Sequence, residues 1–237
     1  MHSPSAAPRI EAETRTPVTV LPFANYRFPE SAAITGADCS AARVRLGLSD
    51  ESIHIATFGY VDTRTKLTDL SLEVAGWLQD WGHPIHFHVV GPASADDASQ
   101  LTRRAADLQL SGFTLTGYAD EDVYRDYLVA IDCGLQLRVS PLLGVSGPLA
   151  DLAAFGTPAV ASRGLFVDVG SPANVLPLAD YVSPVTAAQA IESLLSEYPR
   201  EEVREERRRA YLQEMSPQLY AQQLVAVLRA EADEVHT

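Results

Sequence analysis

The fold of this chain is decided by residues 136–160, which read QLRVSPLLGVSGPLADLAAFGTPAV. The stretch has the pattern of an apolar strand end, a loop, a helix opened by Gly147-Pro148, and a tight Gly156-Thr157-Pro158 turn into a second apolar strand. Proline in a first helical turn costs no backbone hydrogen bond, because its missing N–H would have no partner within the helix. A loop that presents free N–H groups at a helix start, on the carboxyl edge of a parallel sheet, is where such folds hold phosphates. The stretch therefore predicts a ligand that is a nucleotide or carries a diphosphate.

Strands and helices alternate on both sides of this stretch. Strands are predicted at residues 53–59, 85–91, 113–117, 131–137, 159–161 and 181–183, and helices at 67–81, 97–108, 121–130, 148–155 and 186–195. Strands that are apolar on both faces are typical of a parallel sheet covered by helices on both sides. With right-handed crossovers, the pattern predicts an α/β fold, a Rossmann-like doubly wound parallel sheet followed by C-terminal helices.

The same pattern divides the chain into four segments. Residues 1–17 have no periodicity and predict a flexible arm, while residues 18–50 predict an entry strand and a connecting segment. Residues 51–197 are the predicted Rossmann-like domain. Residues 198–237 predict a strongly charged helix and an amphipathic helix, which we expect to pack against the sheet domain or a partner.

Composition excludes several classes of protein. The 237 residues carry a formal net charge of -13, which argues against a nucleic-acid backbone or an anionic membrane surface as partner. Two cysteines, Cys39 and Cys133, are too few for a disulfide framework. The sequence contains no run long enough for a membrane span and no signal-peptide pattern at Met1, so a cytoplasmic protein is expected.

Three glycines end successive predicted strands at one edge of the sheet. Gly59, Gly91 and Gly117 would let the backbone come close to a ligand there, although each alone is more often a simple turn residue. Arg64 and Lys66 follow Gly59 in its loop. Two cations in that place could bind a phosphate group. The sequence supports equally well the alternative that both are solvated surface charges.

The loop before the predicted helix 148–155 adds the remaining candidate residues. Ser146 and Gly147 supply backbone amides at the helix start. Asp151 lies near the first turn, where a carboxylate either accepts hydrogen bonds from a ribose or complements the helix dipole.

Other motifs in the sequence do not indicate a catalytic or metal site. His86 and His88 alternate on one strand face, but no carboxylate or cysteine is spaced to complete a metal site, so two packed or surface histidines, and no metal, are predicted. The segment 144–147, Gly-Val-Ser-Gly, is not a nucleophile elbow because its second glycine comes one place early. Dinucleotide and P-loop fingerprints are absent from the sequence.

The order of these motifs resembles the carboxyl-terminal, donor-binding half of GT-B fold glycosyltransferases of family 4. The resemblance covers approximately residues 18–230, and its most specific part is the segment 151–160. The segments that carry it are Val20-Leu21-Pro22, Arg43 to Leu48, Phe58-Gly59 with Lys66, Val89-Val90-Gly91, Gly117 to Asp120 with Tyr124 and Tyr127, and Asp151 to Val160.

This resemblance implies binding of a nucleotide-diphosphate sugar as donor substrate, with no further cofactor. The acidic residue that matches Asp151 holds the ribose, and amides around Ser146 and Gly147 hold the diphosphate. The base lies near the Gly117-Tyr118 turn. The basic residues that match Arg64 or Lys66 neutralise the diphosphate as it leaves. Sugar transfer with retention and without an essential metal is the implied activity.

Two features depart from the family pattern. The family places a glutamate about eight residues before the second acid, where this chain has Leu142-Leu143-Gly144-Val145, so no catalytic residue is assigned. The amino-terminal acceptor half of the family has no counterpart in the sequence, so a separate N-terminal domain or partner chain is expected to complete the cleft.

The sequence leaves two other functional hypotheses open. A domain that keeps the fold without the glutamate would be a non-catalytic interaction or regulatory module, with the terminal amphipathic helix as its contact surface. A sugar-phosphate epimerase or another hydrolase on a similar sheet is disfavoured, because base, metal and nucleophile patterns are missing from the sequence.

Overall fold

The computed structural model describes residues 1–24, 34–63, 65–139, 144–197 and 201–235. Its centre is a sheet of six parallel strands in the order β3-β2-β1-β4-β5-β6. The strands are β1 (Ile53–Phe58), β2 (Ile85–Val90), β3 (Gly112–Gly117), β4 (Cys133–Gln136), β5 (Ala159–Ser162) and β6 (Val175–Leu178). The predicted α/β Rossmann-like class is confirmed.

Helices cover both faces of this sheet. They are α1 (Ala7–Thr14), α2 (Gly36–Leu46), α3 (Thr68–Asp80), α4 (Ala95–Asp107), α5 (Glu121–Ala130), α6 (Gly147–Ala154), α7 (Arg163–Asp168), α8 (Pro184–Glu197), α9 (Glu201–Glu214) and α10 (Pro217–Val235). None of the helices described is long and apolar enough to cross a membrane.

Two apolar cores flank the sheet because successive strand residues face opposite sides. Ile55 and Val160 pack into the core under α3, α4 and α8, whereas Ala56, Phe58 and Ala161 pack into the core under α2, α5, α6 and α9. Strands buried on both faces explain why the sequence shows continuous apolar runs rather than alternation.

Helix α6 lies very close to the sheet. A Cβ on Gly134, in β4, would overlap the side chain of Leu152 in α6. Glycine therefore lets the helix approach the strand, and this contact fixes where the N-terminus of α6 stands at the sheet edge.

The sixth strand is not where the sequence pattern predicts it. Residues 181–183 form no strand, and β6 is instead Val175-Leu176-Pro177-Leu178. Proline in that run argues against a strand, but β6 is an edge strand, where a missing N–H on the open side costs nothing. The entry strand expected at residues 18–22 is also absent from the structure, since that segment is assigned no strand.

The N-terminal segment differs from the expected flexible arm. It contains α1, and Ala6 is fully buried. The hydroxyl of Ser3 and the backbone N–H of Ser5 both donate to the buried carboxylate of Asp168, at 2.8 and 2.9 Å. Contacts this distant in sequence leave no periodic signal, which is why the arm could not be predicted to have structure.

Candidate functional site

The three strand-end glycines meet at the carboxyl edge of the sheet. Gly59 donates its N–H to Val90 O at 2.9 Å, and Gly91 forms an isolated bridge with Gly117. A Cβ on Gly91 would overlap the carbonyl oxygen of Gly59, so the two backbones come closer here than any other residue type allows. The backbone φ angles of Gly59, Gly91 and Gly117 are 97°, 150° and 68°, all in the range that disfavours a side chain. The structure thus brings together the glycines that the sequence singles out.

The side chain of Lys66 lies next to these glycines at the carboxyl edge of the sheet. Its Nζ lies 2.9 Å from the position a Cβ on Gly59 would occupy, and Cγ of Pro148 lies 3.4 Å from the same point. The ammonium therefore stands between the end of β1 and the first turn of α6. Burial lowers the pKa of Lys66, the nearby charge of Arg138 lowers it further, and Asp62 acts in the opposite direction. Lys66 is the only lysine in the sequence.

Arg138, which sequence reasoning missed as a site residue, supplies a second cation at this edge. It follows β4, and its Nη1 donates to Gly144 O at 3.3 Å. Burial lowers the pKa of this guanidinium, and the charge of Asp168 raises it. The feature of the sequence that could have indicated this residue is that a single arginine directly follows the apolar run 133–137.

Lys66 and Arg138 are close enough for their charges to repel each other. Within the described residues, neither forms an ion pair with a carboxylate. Asp62 and Asp168 offset part of this charge, but burial still lowers the pKa of both cations. A bound anion would relieve both the repulsion and the desolvation. The pair places two positive charges at this edge of a chain whose net charge is -13.

The N-terminus of α6 faces the same place. Ser146 is the N-cap residue, and its buried hydroxyl accepts the N–H of Leu149 at 3.3 Å. A Cβ on Gly147 would meet no atom within 4 Å, so the first residue of the helix borders open space. Backbone N–H groups of an uncompleted first turn carry partial positive charge, which adds to that of the two side chains.

Asp151 lies deeper than the sequence suggests. It stands past the first turn of α6, is 5% exposed, and accepts a hydrogen bond from the hydroxyl of Tyr124 at 2.9 Å. Tyr124 in turn packs edge-on against Phe58, with ring centroids 5.4 Å apart. Burial raises the pKa of Tyr211 in α9, and the charge of Asp151 adds to that rise. The carboxylate is therefore held in a set orientation between α5, α6 and α9.

The remaining predicted residues are placed as follows. Tyr118, directly after β3, is 82% exposed, and Tyr60 after β1 is 57% exposed, so two aromatic rings stand free at this edge. Tyr60 was not among the residues predicted from the sequence. Arg64 and the leucines at 142 and 143 lie outside the described residues.

The larger cavities of the described structure do not lie at the carboxyl edge. A cavity of about 450 Å³ lies at the opposite, amino edge of the sheet, and it is lined by residues that include Arg43 and Asp132. Arg43 is already paired there with Asp132 at 2.7 Å and Asp50 at 3.2 Å. The cavity against Arg138 holds only about 20 Å³, close to the space of one water molecule. We favour the carboxyl edge as the candidate site, because Lys66 and Arg138 form no ion pair among the described residues, whereas Arg43 at the amino edge forms two.

Comparison with known proteins identifies the fold. No protein-family model matches the chain, and no curated protein matches it in sequence. Among solved structures, sucrose-phosphate synthase from Thermosynechococcus elongatus is 18% identical with a TM-score of 0.72, over 96% of this chain and 57% of that one. HepE of Anabaena, solved in complex with UDP and glucose, is 16% identical with a TM-score of 0.71, over 90% and 57%.

A third structure of the same kind is WaaG, a glycosyltransferase involved in lipopolysaccharide biosynthesis. It is 17% identical with a TM-score of 0.68, over 86% of this chain and 53% of that one. These neighbours are glycosyltransferases of the GT-B fold, and at such identities the likeness is one of fold. The chain spans between 53% and 57% of the length of the three.

Proposed function

We propose that this chain is the donor-binding, carboxyl-terminal half of a family 4 type glycosyltransferase, acting in the cytoplasm on a nucleotide-diphosphate sugar. The observation that carries the proposal is the pair of Lys66 and Arg138, two half-buried cations that form no ion pair among the described residues. They stand at the carboxyl edge of a Rossmann-like sheet beside a helix N-terminus, and ligands of open α/β sheets bind at this edge.

Each part of the donor has a candidate partner there. Lys66, Arg138 and the amides of Ser146 and Gly147 hold the diphosphate, and Arg64, which lies outside the described residues, is a further cation indicated by the sequence. Asp151, already oriented by Tyr124, accepts from the ribose hydroxyls. The exposed ring of Tyr118 lies against the base. The fold neighbour HepE was solved with UDP, which supports a nucleotide diphosphate as the ligand of this kind of sheet.

The chemistry assigned to the cations is stabilisation of the leaving group. When the bond between the anomeric carbon and the diphosphate oxygen breaks, negative charge develops on the diphosphate while the acceptor oxygen bonds to the carbon and loses its proton. Fixed positive charges are most effective where charge develops in the transition state. With two side-chain cations and helix amides available, we propose that transfer does not depend on a metal. Retention of the anomeric configuration follows from the family resemblance.

Transfer also needs an acceptor side, which we propose lies in a second domain or chain. The chain matches only 53–57% of the length of its neighbours. Binding of the donor nucleotide is the part of the activity that this half performs through its own residues, so binding is what the test should measure.

Calorimetric titration of the chain with UDP, GDP and ADP tests the proposal. We expect one of the three to bind, and Lys66→Ala and Arg138→Ala each to weaken it by roughly 10- to 100-fold, the usual worth of a charge-assisted hydrogen bond. Arg103→Ala is the matched control, because Arg103 is an exposed arginine on α4. Binding of no nucleotide diphosphate, or binding that both site variants leave unchanged, would refute the donor site.

A further inference from the structure

Three histidines gather on one face of the sheet, far from the ends of the strands where the cations lie. His54 in β1 is in register with His86 in β2, and His88 follows two residues later on the same face. His54 and His88 are fully buried, and His86 is half-buried. One ring nitrogen from each lies within 4.8 Å of the others. The sequence showed only the pair in β2, because the third member comes from the neighbouring strand.

Hydrogen bonds fix the protons in this cluster. Nε2 of His54 lies 2.8 Å from Ser49 O, and since a carbonyl only accepts, this nitrogen carries the proton. Nδ1 of His54 therefore keeps its lone pair and accepts from Nε2 of His88, 2.9 Å away. The other nitrogen of His88, Nδ1, is then a buried acceptor with no hydrogen-bond donor among the described residues.

The cluster thus consists of neutral imidazoles, each with a lone pair on one ring nitrogen. Burial, together with smaller contributions from the neighbouring His86 and His54, lowers the pKa of His88 to about 3. Burial also lowers the pKa of His86, as does His54. A histidine must be neutral to bind a metal ion, so these rings need not lose a net proton when an ion binds.

We propose that His54, His86 and His88 bind one divalent transition-metal cation of the zinc type. Imidazole nitrogen is a preferred ligand of Zn²⁺, and three histidines with a fourth place for water are a known coordination set. The bond from His54 Nε2–H to a backbone carbonyl is the support that ligating histidines usually have, because it directs the opposite nitrogen to the metal.

Binding requires small movements that the surroundings allow. Two nitrogens on a tetrahedral zinc with bonds of about 2.0–2.1 Å are roughly 3.4 Å apart, so the 2.9 Å pair of His54 and His88 must open slightly, and His88 must move its proton to Nδ1. His86 now stacks on His88 with centroids 4.3 Å apart and 4° between the rings. Since imidazole binds a metal in its ring plane, His86 must turn out of this stack and leave its 2.8 Å bond to Thr114.

A glycine lies under the ring that has to turn. The ring of His86 lies over Gly112 in the edge strand β3, where no side chain blocks it, and its half-exposed position leaves room for a water on the metal. Tyr127 of α5 closes the other side, with its ring centroid 5.3 Å from that of His88. Because the cluster lies along the strands and the diphosphate site lies beyond their ends, the metal site is independent of the proposed function.

Titration of the untagged, chelator-treated chain with Zn²⁺ tests the proposal, with calorimetry for stoichiometry and thermal unfolding for stability. We expect one Zn²⁺ per chain, a raised Tm, and intense visible bands of low-symmetry coordination when Co²⁺ replaces Zn²⁺. Mg²⁺ should have none of these effects, because it prefers oxygen ligands.

Variants decide which residues hold the ion. His86→Gln and His88→Gln should each weaken Zn²⁺ binding at least tenfold and remove the cobalt bands. His83→Gln should bind as the parent does, since His83 pairs with Glu192 outside the cluster. His86 is half-buried, so its variant is the one to rely on if His88→Gln fails to fold by circular dichroism. No stoichiometric Zn²⁺ binding, or binding that His86→Gln leaves intact, would overturn the proposal.

Discussion

Charge at single residues is the feature on which the account of the donor site depends. Lys66 and Arg138 are held near each other in partly buried positions. Burial lowers the pKa of both groups, and the charge of Arg138 also lowers the pKa of Lys66. An arrangement that is unfavourable in the free protein persists at functional sites because a ligand relieves it. Stability and binding should therefore respond in opposite directions when the charge is removed.

The variant Lys66→Met separates these two quantities. It keeps a similar apolar stem and removes the ammonium, so we expect the free energy of unfolding to rise by on the order of 1 kcal/mol while nucleotide affinity falls by at least tenfold. Chemical denaturation and calorimetric titration measure the two changes. Arg103→Met on the exposed face of α4 should alter neither. A variant that is less stable than the parent would show that the ammonium is neutralised by a partner in the free chain.

Gly91 offers a test of the close backbone approach at the same edge. In Gly91→Ala the new Cβ would overlap the carbonyl of Gly59, so β1 and β2 must separate where they end. We expect a loss of about 2–4 kcal/mol in the free energy of unfolding, from overpacking added to the cost of a positive φ.

The matched control for this variant is Gly82→Ala. Gly82 also has a positive φ, of 94°, but a Cβ there would meet no atom within 4 Å. Gly82→Ala should lower the free energy of unfolding by only about 1 kcal/mol, because it has the cost of the positive φ without any steric overlap. Equal losses in the two alanine variants, measured by urea denaturation, would remove the argument for a tight approach at Gly91.

At the scale of elements, α6 is the part that joins the site to the core. It is pressed against β4 at Gly134, and it is tied to α5 by the hydrogen bond from Tyr124 to Asp151. Because Asp151 is 5% exposed, the hydroxyl of Tyr124 replaces solvation that the carboxylate has lost.

Tyr124→Phe should therefore destabilise the fold by about 1–3 kcal/mol, since it leaves a buried carboxylate with one donor fewer. Thermal and urea unfolding measure this, and Tyr118→Phe, at an 82% exposed position, should have no effect on stability. A double-mutant cycle with Asp151→Asn should give a coupling well above zero. Additive losses in that cycle would mean that Tyr124 acts through packing alone.

Elements with strong local patterns could be predicted from the sequence, and those shaped by distant contacts could not. Strands β1 to β5 and their helices follow from apolar runs, glycine ends and helical spacing. The edge strand β6 was missed because Pro177 argues against a strand unless its open side is known. Helix α1 was missed because Asp168, far along the chain, fixes the segment before it.

The same limit applies to the two sites. The sequence predicts the site residues that come directly after strands or at the start of α6, namely Gly59, Lys66, Gly117, Ser146 and Gly147. The structure places these residues at one edge of the sheet. Arg138 and His54 were not assigned, since their roles depend on which strands are neighbours, and only the sheet order β2-β1-β4 brings them to their partners.

At the scale of the whole molecule, the chain is an acidic α/β body with two half-buried cations, Lys66 and Arg138, at the carboxyl edge of its sheet. Its net charge of -13 makes a general attraction for anions impossible, so any anion must be bound by a few placed groups. The chain spans 53–57% of the glycosyltransferases it resembles in fold, and we propose that the other side of the cleft is supplied by a second domain or chain.

The most direct test of the diphosphate site uses the fact that Lys66 is the only lysine. Acylation of amines in the presence and absence of the tightest-binding nucleotide diphosphate, followed by peptide mass spectrometry, reports on one side chain, with the Met1 amine as internal reference. We predict that the nucleotide slows modification of Lys66 at least tenfold and leaves Met1 unchanged. Equal modification of Lys66 with and without a nucleotide that demonstrably binds would contradict the account.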